Sequence, residues 1–180
     1  MLQIPLFSVL LYYLLLKNVV GGSKFELSRL YPYLFLIFIT GVYLFGASSG
    51  THEVTNYLNL RFCEAGKIDS KICNIISYND DEFSHIVYYL GFILLNVALM
   101  ITSFNVPREK AINKKDLLLV SINAVFIGLG IFANLAFEEI GLDLYFFGSM
   151  MLLSLYLLLR KKIYLRLPVL VYLATSYTFV

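Results

Sequence analysis

Residues 50–85 read GTHEVTNYLNLRFCEAGKIDSKICNIISYNDDEFSH, and they form the one long stretch of this chain that is not oily. They hold both histidines, His52 and His85, both cysteines, Cys63 and Cys73, and six of the twelve carboxylates. The flanking sequence is hydrocarbon-like. Of the 180 residues 59% are hydrophobic and only 14% charged, whereas charged residues make up about a quarter of a soluble domain. Composition therefore predicts one integral membrane domain over 1–180, with any chemistry concentrated in an outer loop at 49–85.

A spanning helix needs about 20 apolar residues to cross roughly 30 Å of hydrocarbon. Six segments qualify as candidates: Leu2–Val20, Leu30–Ala47, Ile86–Phe104, Leu117–Ala136, Leu142–Leu159 and the short Leu167–Val180. The predicted fold class is an all-α, polytopic transmembrane bundle of about six spans. The first segment starts Met1-Leu2-Gln3-Ile4-Pro5 and carries its charge at the far end, on Lys17. A cleaved signal peptide has the opposite polarity, so this helix is expected to be retained.

Charge orients the bundle. With the amino terminus outside, the inner connectors carry Lys17, Lys24, Arg29, Arg108, Lys110, Lys114, Lys115, Arg160, Lys161, Lys162 and Arg166, eleven of the fourteen basic residues. Short connectors follow the positive-inside bias most strictly, so residues 49–85 are predicted to be extracytoplasmic. A formal net charge of +2, spread over separate connectors, gives no basic face for nucleic acid. The lipid bilayer, and other membrane subunits, are the partners this composition suits.

Both cysteines fall in the outer loop, ten positions apart, on the side of a membrane where disulfides persist. A Cys63–Cys73 bridge is the expected pairing. Free thiols are one alternative, and a zinc site on His52, Cys63, Cys73 and His85 is another, although it lacks the close ligand pairs of structural zinc sites. Within the loop, Thr51 is placed to cap a helix. Residues 52–62 then form a short interfacial helix or extend the second span. Asn79-Asp80-Asp81 is a helix-start signal for the third span.

Two constellations follow from helical spacing. Asp81 and His85, four apart, stack on one face at the start of the third span, where the carboxylate can join the imidazole at a metal or orient its ring. Glu138 and Glu139 close the fourth span and Asp143 opens the fifth. Asn123, Asn134 and Glu138 share a side of that fourth helix, and Asn96 lies eleven residues after His85. Amides inside a membrane are costly in lipid, so Asn96, Asn123 and Asn134 are expected to face the bundle interior. His52, Asp81, His85, Glu138 and Asp143 then reach one outer level and offer mixed N and O ligands for Zn, Mn or Fe. Asp81, His85, Glu138 and Glu139 are the candidate acid and base groups.

The order Gly50-Thr51-His52, Asp81-Glu82-Phe83-Ser84-His85, Ala136-Phe137-Glu138-Glu139 and Asp143-Leu144-Tyr145-Phe146-Phe147-Gly148 resembles the YjdF-like family of small bacterial inner-membrane proteins, over roughly residues 40–160. The resemblance implies a polytopic fold with a buried His/Asp/Glu cluster. The sequence departs from that pattern in having its tyrosine displaced to Tyr78, its two glutamates adjacent, and no aromatic residue after them. A looser similarity to alkaline ceramidase-like hydrolases, through Cys63-Glu64 and Ser84-His85, implies a late His-x-x-x-His pair, yet no histidine follows His85.

Phosphate-binding loops, nucleophile elbows, Cys-x-x-Cys and His-Glu-x-x-His motifs do not occur. Two functional classes remain: a membrane enzyme or binding protein using a divalent metal at the outer leaflet, and a non-catalytic subunit of a larger membrane assembly.

Overall fold

The structure, a computed structural model, describes residues 3–64, 70–137 and 141–180. Among them every regular element is helical: α1 (Gln3–Val20), α2 (Tyr31–Leu58), α3 (Lys71–Ser77), α4 (Ser84–Asn105), α5 (Lys114–Phe137), α6 (Leu142–Lys161) and α7 (Pro168–Thr178). Short 3-10 turns at Lys24–Leu27 and Tyr164–Arg166 punctuate the connectors. Two π-helical turns extend the longer helices. Asn59–Glu64 prolongs α2, and Tyr78–Phe83 joins α3 to α4.

Local chemistry sets the helix starts. The Ser28 hydroxyl accepts from the Tyr31 amide at 3.3 Å, and Pro32 follows in the first turn, where its missing N–H is no loss. α3 begins at Lys71 because the Ser70 side chain accepts from the Cys73 amide at 3.2 Å. This cap starts the helix about ten residues before the Asn79-Asp80-Asp81 signal, which lies instead inside a continuous rod. Thr51 is likewise interior to α2 and bonds back to the Ala47 carbonyl at 3.0 Å. Residues 52–62 thus extend the second helix. α5 opens with a reciprocal cap: Asn113 Oδ1 takes the Asp116 amide at 2.7 Å, and its Nδ2 donates to Asp116 Oδ2 at 2.8 Å. α6 ends on Lys162 in the left-handed region, φ 52.

Four helices have the length and apolarity of membrane spans, Tyr31–Cys63, Lys71–Asn105, Lys114–Ala133 and Leu144–Lys161, and Pro5–Val20 is a shorter apolar helix. The chain is an all-α polytopic membrane protein. α7 has 11 residues and so reaches about 16 Å, roughly half a hydrocarbon core. The first two spans are 33 and 35 residues long, about 50 Å each, and therefore exceed that core by roughly 20 Å.

The chain groups into two compact units, one formed by Met1–Leu15 with Phe35–Leu95, the other by Leu16–Leu34 with Asn96–Val180. The first is dominated by an antiparallel hairpin of α2 against α3 and α4. Gly41 lies against Gly91 and Leu95, Phe45 against Gly91 and Tyr88, Ser48 against Ser84, His52 against Asp80 and Cys63 against Cys73. From Gly41 to His52 the α2 partners advance by three or four residues while their counterparts retreat from Leu95 to Asp80, the signature of a single packed seam. A Cβ on Gly91 would sit 2.6 Å from the Phe45 amide nitrogen, and one on Gly41 2.9 Å from that of Leu95. Only hydrogen atoms there allow the two backbones to touch.

In the second unit α7 packs on both α5 and α6, burying Leu170, Leu173, Ala174 and Tyr177. Tyr177 meets Phe147 of α6, ring centroids 6.2 Å apart, and Ser176 lies against Gly128 of α5. The 105–113 connector is tied to the α6–α7 turn by Arg108 N–H to the Arg166 carbonyl and Ile112 N–H to that of Leu165, both 2.9 Å.

Candidate functional site

The polar seam of the hairpin gathers where α2 leaves the length needed to cross hydrocarbon. His52 is 21 residues beyond Tyr31, or about 32 Å along the helix, about the thickness of a hydrocarbon core. Asp80 faces it from the π turn and is 3% exposed. His52 Nδ1 lies 2.9 Å from Asp80 Oδ1 and 3.3 Å from the Asp80 carbonyl oxygen. Both of those atoms only accept, so Nδ1 carries a hydrogen, and in the neutral ring this assigns the lone pair to Nε2. Thr55, one turn further along α2, donates to the same Oδ1 at 3.0 Å.

A second layer holds this pair in place. The Ser84 hydroxyl donates to the Asp80 carbonyl, and Ser48 donates to the Ser84 carbonyl at 2.7 Å. Both serines are buried. The His85 ring lies 5.5 Å from that of His52, centroid to centroid, and both side chains are half-buried.

The π turn explains which carboxylate enters the site. Its signature is the Ser84 amide bonding to the Asn79 carbonyl, five residues back, which widens the helix locally and shifts its phase by about one residue. Asp80 and His85, five apart, thereby come to one side. Asp81, which straight α-helical spacing pairs with His85, is exposed and accepts from the Ser77 hydroxyl at 3.1 Å. It does not join the cluster.

Of the other predicted site residues, Glu138 and Glu139 lie outside the described residues, and Asp143 and Asn134 fall in α6 and α5 with undescribed side chains. Asn96 is fully buried in α4. Asn123 departs from expectation: it is exposed on α5, near the middle of the Lys114–Ala133 span. Cys63 and Cys73 are bonded, with Cα atoms 5.6 Å apart, so neither sulfur is available as a thiolate ligand. The missed residues are Asp80, Thr55, Ser84 and Ser48. Ser48, His52 and Thr55 recur at four and three along α2, a legible polar stripe, but no sequence signal announces the π turn that selects Asp80.

Among the described residues no group of three or more His, Cys, Asp or Glu side chains is poised around a metal ion. The cluster instead offers two imidazoles and one carboxylate bound to the first of them. Compared with protein-family models, with curated proteins and with solved structures, the chain matches none.

Proposed function

We propose that the hairpin mouth is a divalent transition-metal site built on His52 and His85, displayed on the extracytoplasmic side. The observation that carries this reading is the Nδ1 hydrogen bond from His52 to the buried Asp80. Metal-binding histidines commonly donate their second ring nitrogen to a carboxylate, which fixes the tautomer and raises ligand basicity. Here that bond frees Nε2 beside a second imidazole. Two rings around one ion at about 2.1 Å per nitrogen stand roughly 5 Å apart, close to the spacing found. Of the metals suited to mixed N and O ligands, this nitrogen-weighted donor set favours Zn or Fe over Mn. A bound ion of this kind supplies Lewis acidity to a water or carbonyl oxygen. The residues themselves position it: Asp80 orients His52, Thr55 and Ser84 hold Asp80, and Ser48 holds Ser84.

Titrating purified protein with zinc ion by calorimetry tests the reading. One ion per chain is expected, with binding abolished by His85→Ala and weakened about 10- to 100-fold by Asp80→Asn. Affinity unchanged in His85→Ala would sink it.

A second reading, a subunit of a larger membrane assembly, is favoured by Asn123. An amide in mid-span that forms no hydrogen bond among the described residues is costly against lipid, and a neighbouring chain would satisfy it. The projecting hairpin also exposes Tyr57, Leu60, Phe62, Ile72 and Ile75, an apolar surface suited to a protein partner. Gentle solubilisation followed by native mass spectrometry should recover a fixed-ratio complex that Asn123→Leu dissolves. A monomer unaffected by that change would remove this second reading.

A further inference from the structure

The second unit carries a cleft that the metal reading does not use. It has a volume of about 380 Å³ and is lined by Lys114, Leu117, Leu118, Ser121, Tyr164 and Leu165. The four α5 residues are spaced three and four apart, so they form one stripe of the helix, and the 3-10 turn after α6 supplies the opposite wall. Lys114 is the first residue of α5 and Ser121 the last of the stripe, with the leucines between them, and the exposed Tyr164 belongs to the opposite wall.

Charge at this end is one-sided. Arg108, Lys110, Lys114, Lys115, Arg160, Lys161, Lys162 and Arg166 face only Glu109 and Asp116 as carboxylates in the same connectors. Two of the cations are already engaged: Lys161 donates to the Phe104 carbonyl and Arg166 to that of Arg108. Asp116 is held by Asn113. Lys114 has no ion pair among the described residues and is the first residue of α5, at the helix end that carries positive potential.

We propose that this cleft binds one anionic phospholipid, its phosphate on Lys114 and Tyr164 and an acyl chain along Leu117, Leu118 and Leu165. A groove cationic at one end and apolar along its length, open at the edge of a membrane span, matches an amphiphile with those two parts. A free phosphate matches only the first.

The test compares nanodiscs of pure phosphatidylcholine with nanodiscs that also contain phosphatidylglycerol, reading the Tm of the full chain and the lipid retained in native mass spectra. The expected result is a Tm higher by several degrees with phosphatidylglycerol and one retained anionic lipid, both lost in Lys114→Gln. Ser121→Phe, which fills the apolar run without touching charge, should lose them too. Equal Tm in the two nanodiscs, or a lipid response unchanged in both variants, overturns the proposal. Full stabilisation by inorganic phosphate in phosphatidylcholine also overturns it, since that would make the site one for the headgroup ion alone.

Discussion

Adjacent aspartates show how much one position matters. Asp80 and Asp81 are chemically identical, yet one is buried and takes hydrogen bonds from His52 and Thr55 while the other is exposed and takes one from Ser77. Removing the buried Asp80 carboxylate deletes the acceptor of two hydrogen bonds, each worth about 1 kcal/mol net. Asp80→Ala should therefore destabilise the protein by about 2 kcal/mol, whereas Asp81→Ala should fall within about 0.5 kcal/mol of wild type. Thermal unfolding in detergent micelles separates them. Equal effects from the two substitutions would mean that the π turn does not select between these carboxylates. The cluster's level in the chain was legible from the sequence because both histidines fall between apolar runs. Its membership was not. Periodicity of 3.6 residues assigns Asp81 to the face of His85, and only the five-residue bond at Ser84 moves that face onto Asp80.

At the scale of elements, the α2 and α3–α4 hairpin is the rigid part that presents the cluster. It is held at one end by the Gly41–Gly91 approach and at the other by the Cys63–Cys73 bridge. The bridge closes a loop with a sequence separation of 10, for which chain entropy gives about 3 kcal/mol of stabilisation. Cys63→Ser with Cys73→Ser should lower stability by up to that amount while leaving the helix content intact in far-ultraviolet circular dichroism. Gly91→Leu should do more damage, because its side chain meets backbone at Phe45, which cannot rotate away. Separation of the hairpin in that variant can be read from spin labels at Tyr57 and Tyr78, whose distance should grow. An unchanged distance would show that the seam tolerates a side chain there. The bridge was legible as one reading of two cysteines in one loop, and the structure shows it formed. The unbroken run of α2 through Leu58 was anticipated only as one of two readings, because the 52–62 segment mixes polar and apolar residues in a way that suits an interfacial helix equally well.

At the scale of the whole molecule, charge is placed unevenly along the chain. Eleven of fourteen basic residues fall in three connectors, and the proposed extracytoplasmic placement of the cluster rests on that bias. In a Cys63→Ser and Cys73→Ser background, Tyr57→Cys should react with a membrane-impermeant maleimide in intact cells and Lys110→Cys should react only after the membrane is opened. The reverse pattern would invert the topology and place the proposed metal site inside. Sequence alone determined that this is an all-α membrane protein and roughly where its imidazoles gather, because hydropathy and charge are sums over segments that survive any packing. Only the tertiary structure decided that Asp80 rather than Asp81 meets His52, that Asn96 is buried and that Asn123 looks outward. Helices apolar on every side carry no stripe to say which face turns inward, and a π turn changes phase without changing composition, so both choices are made by contact between helices.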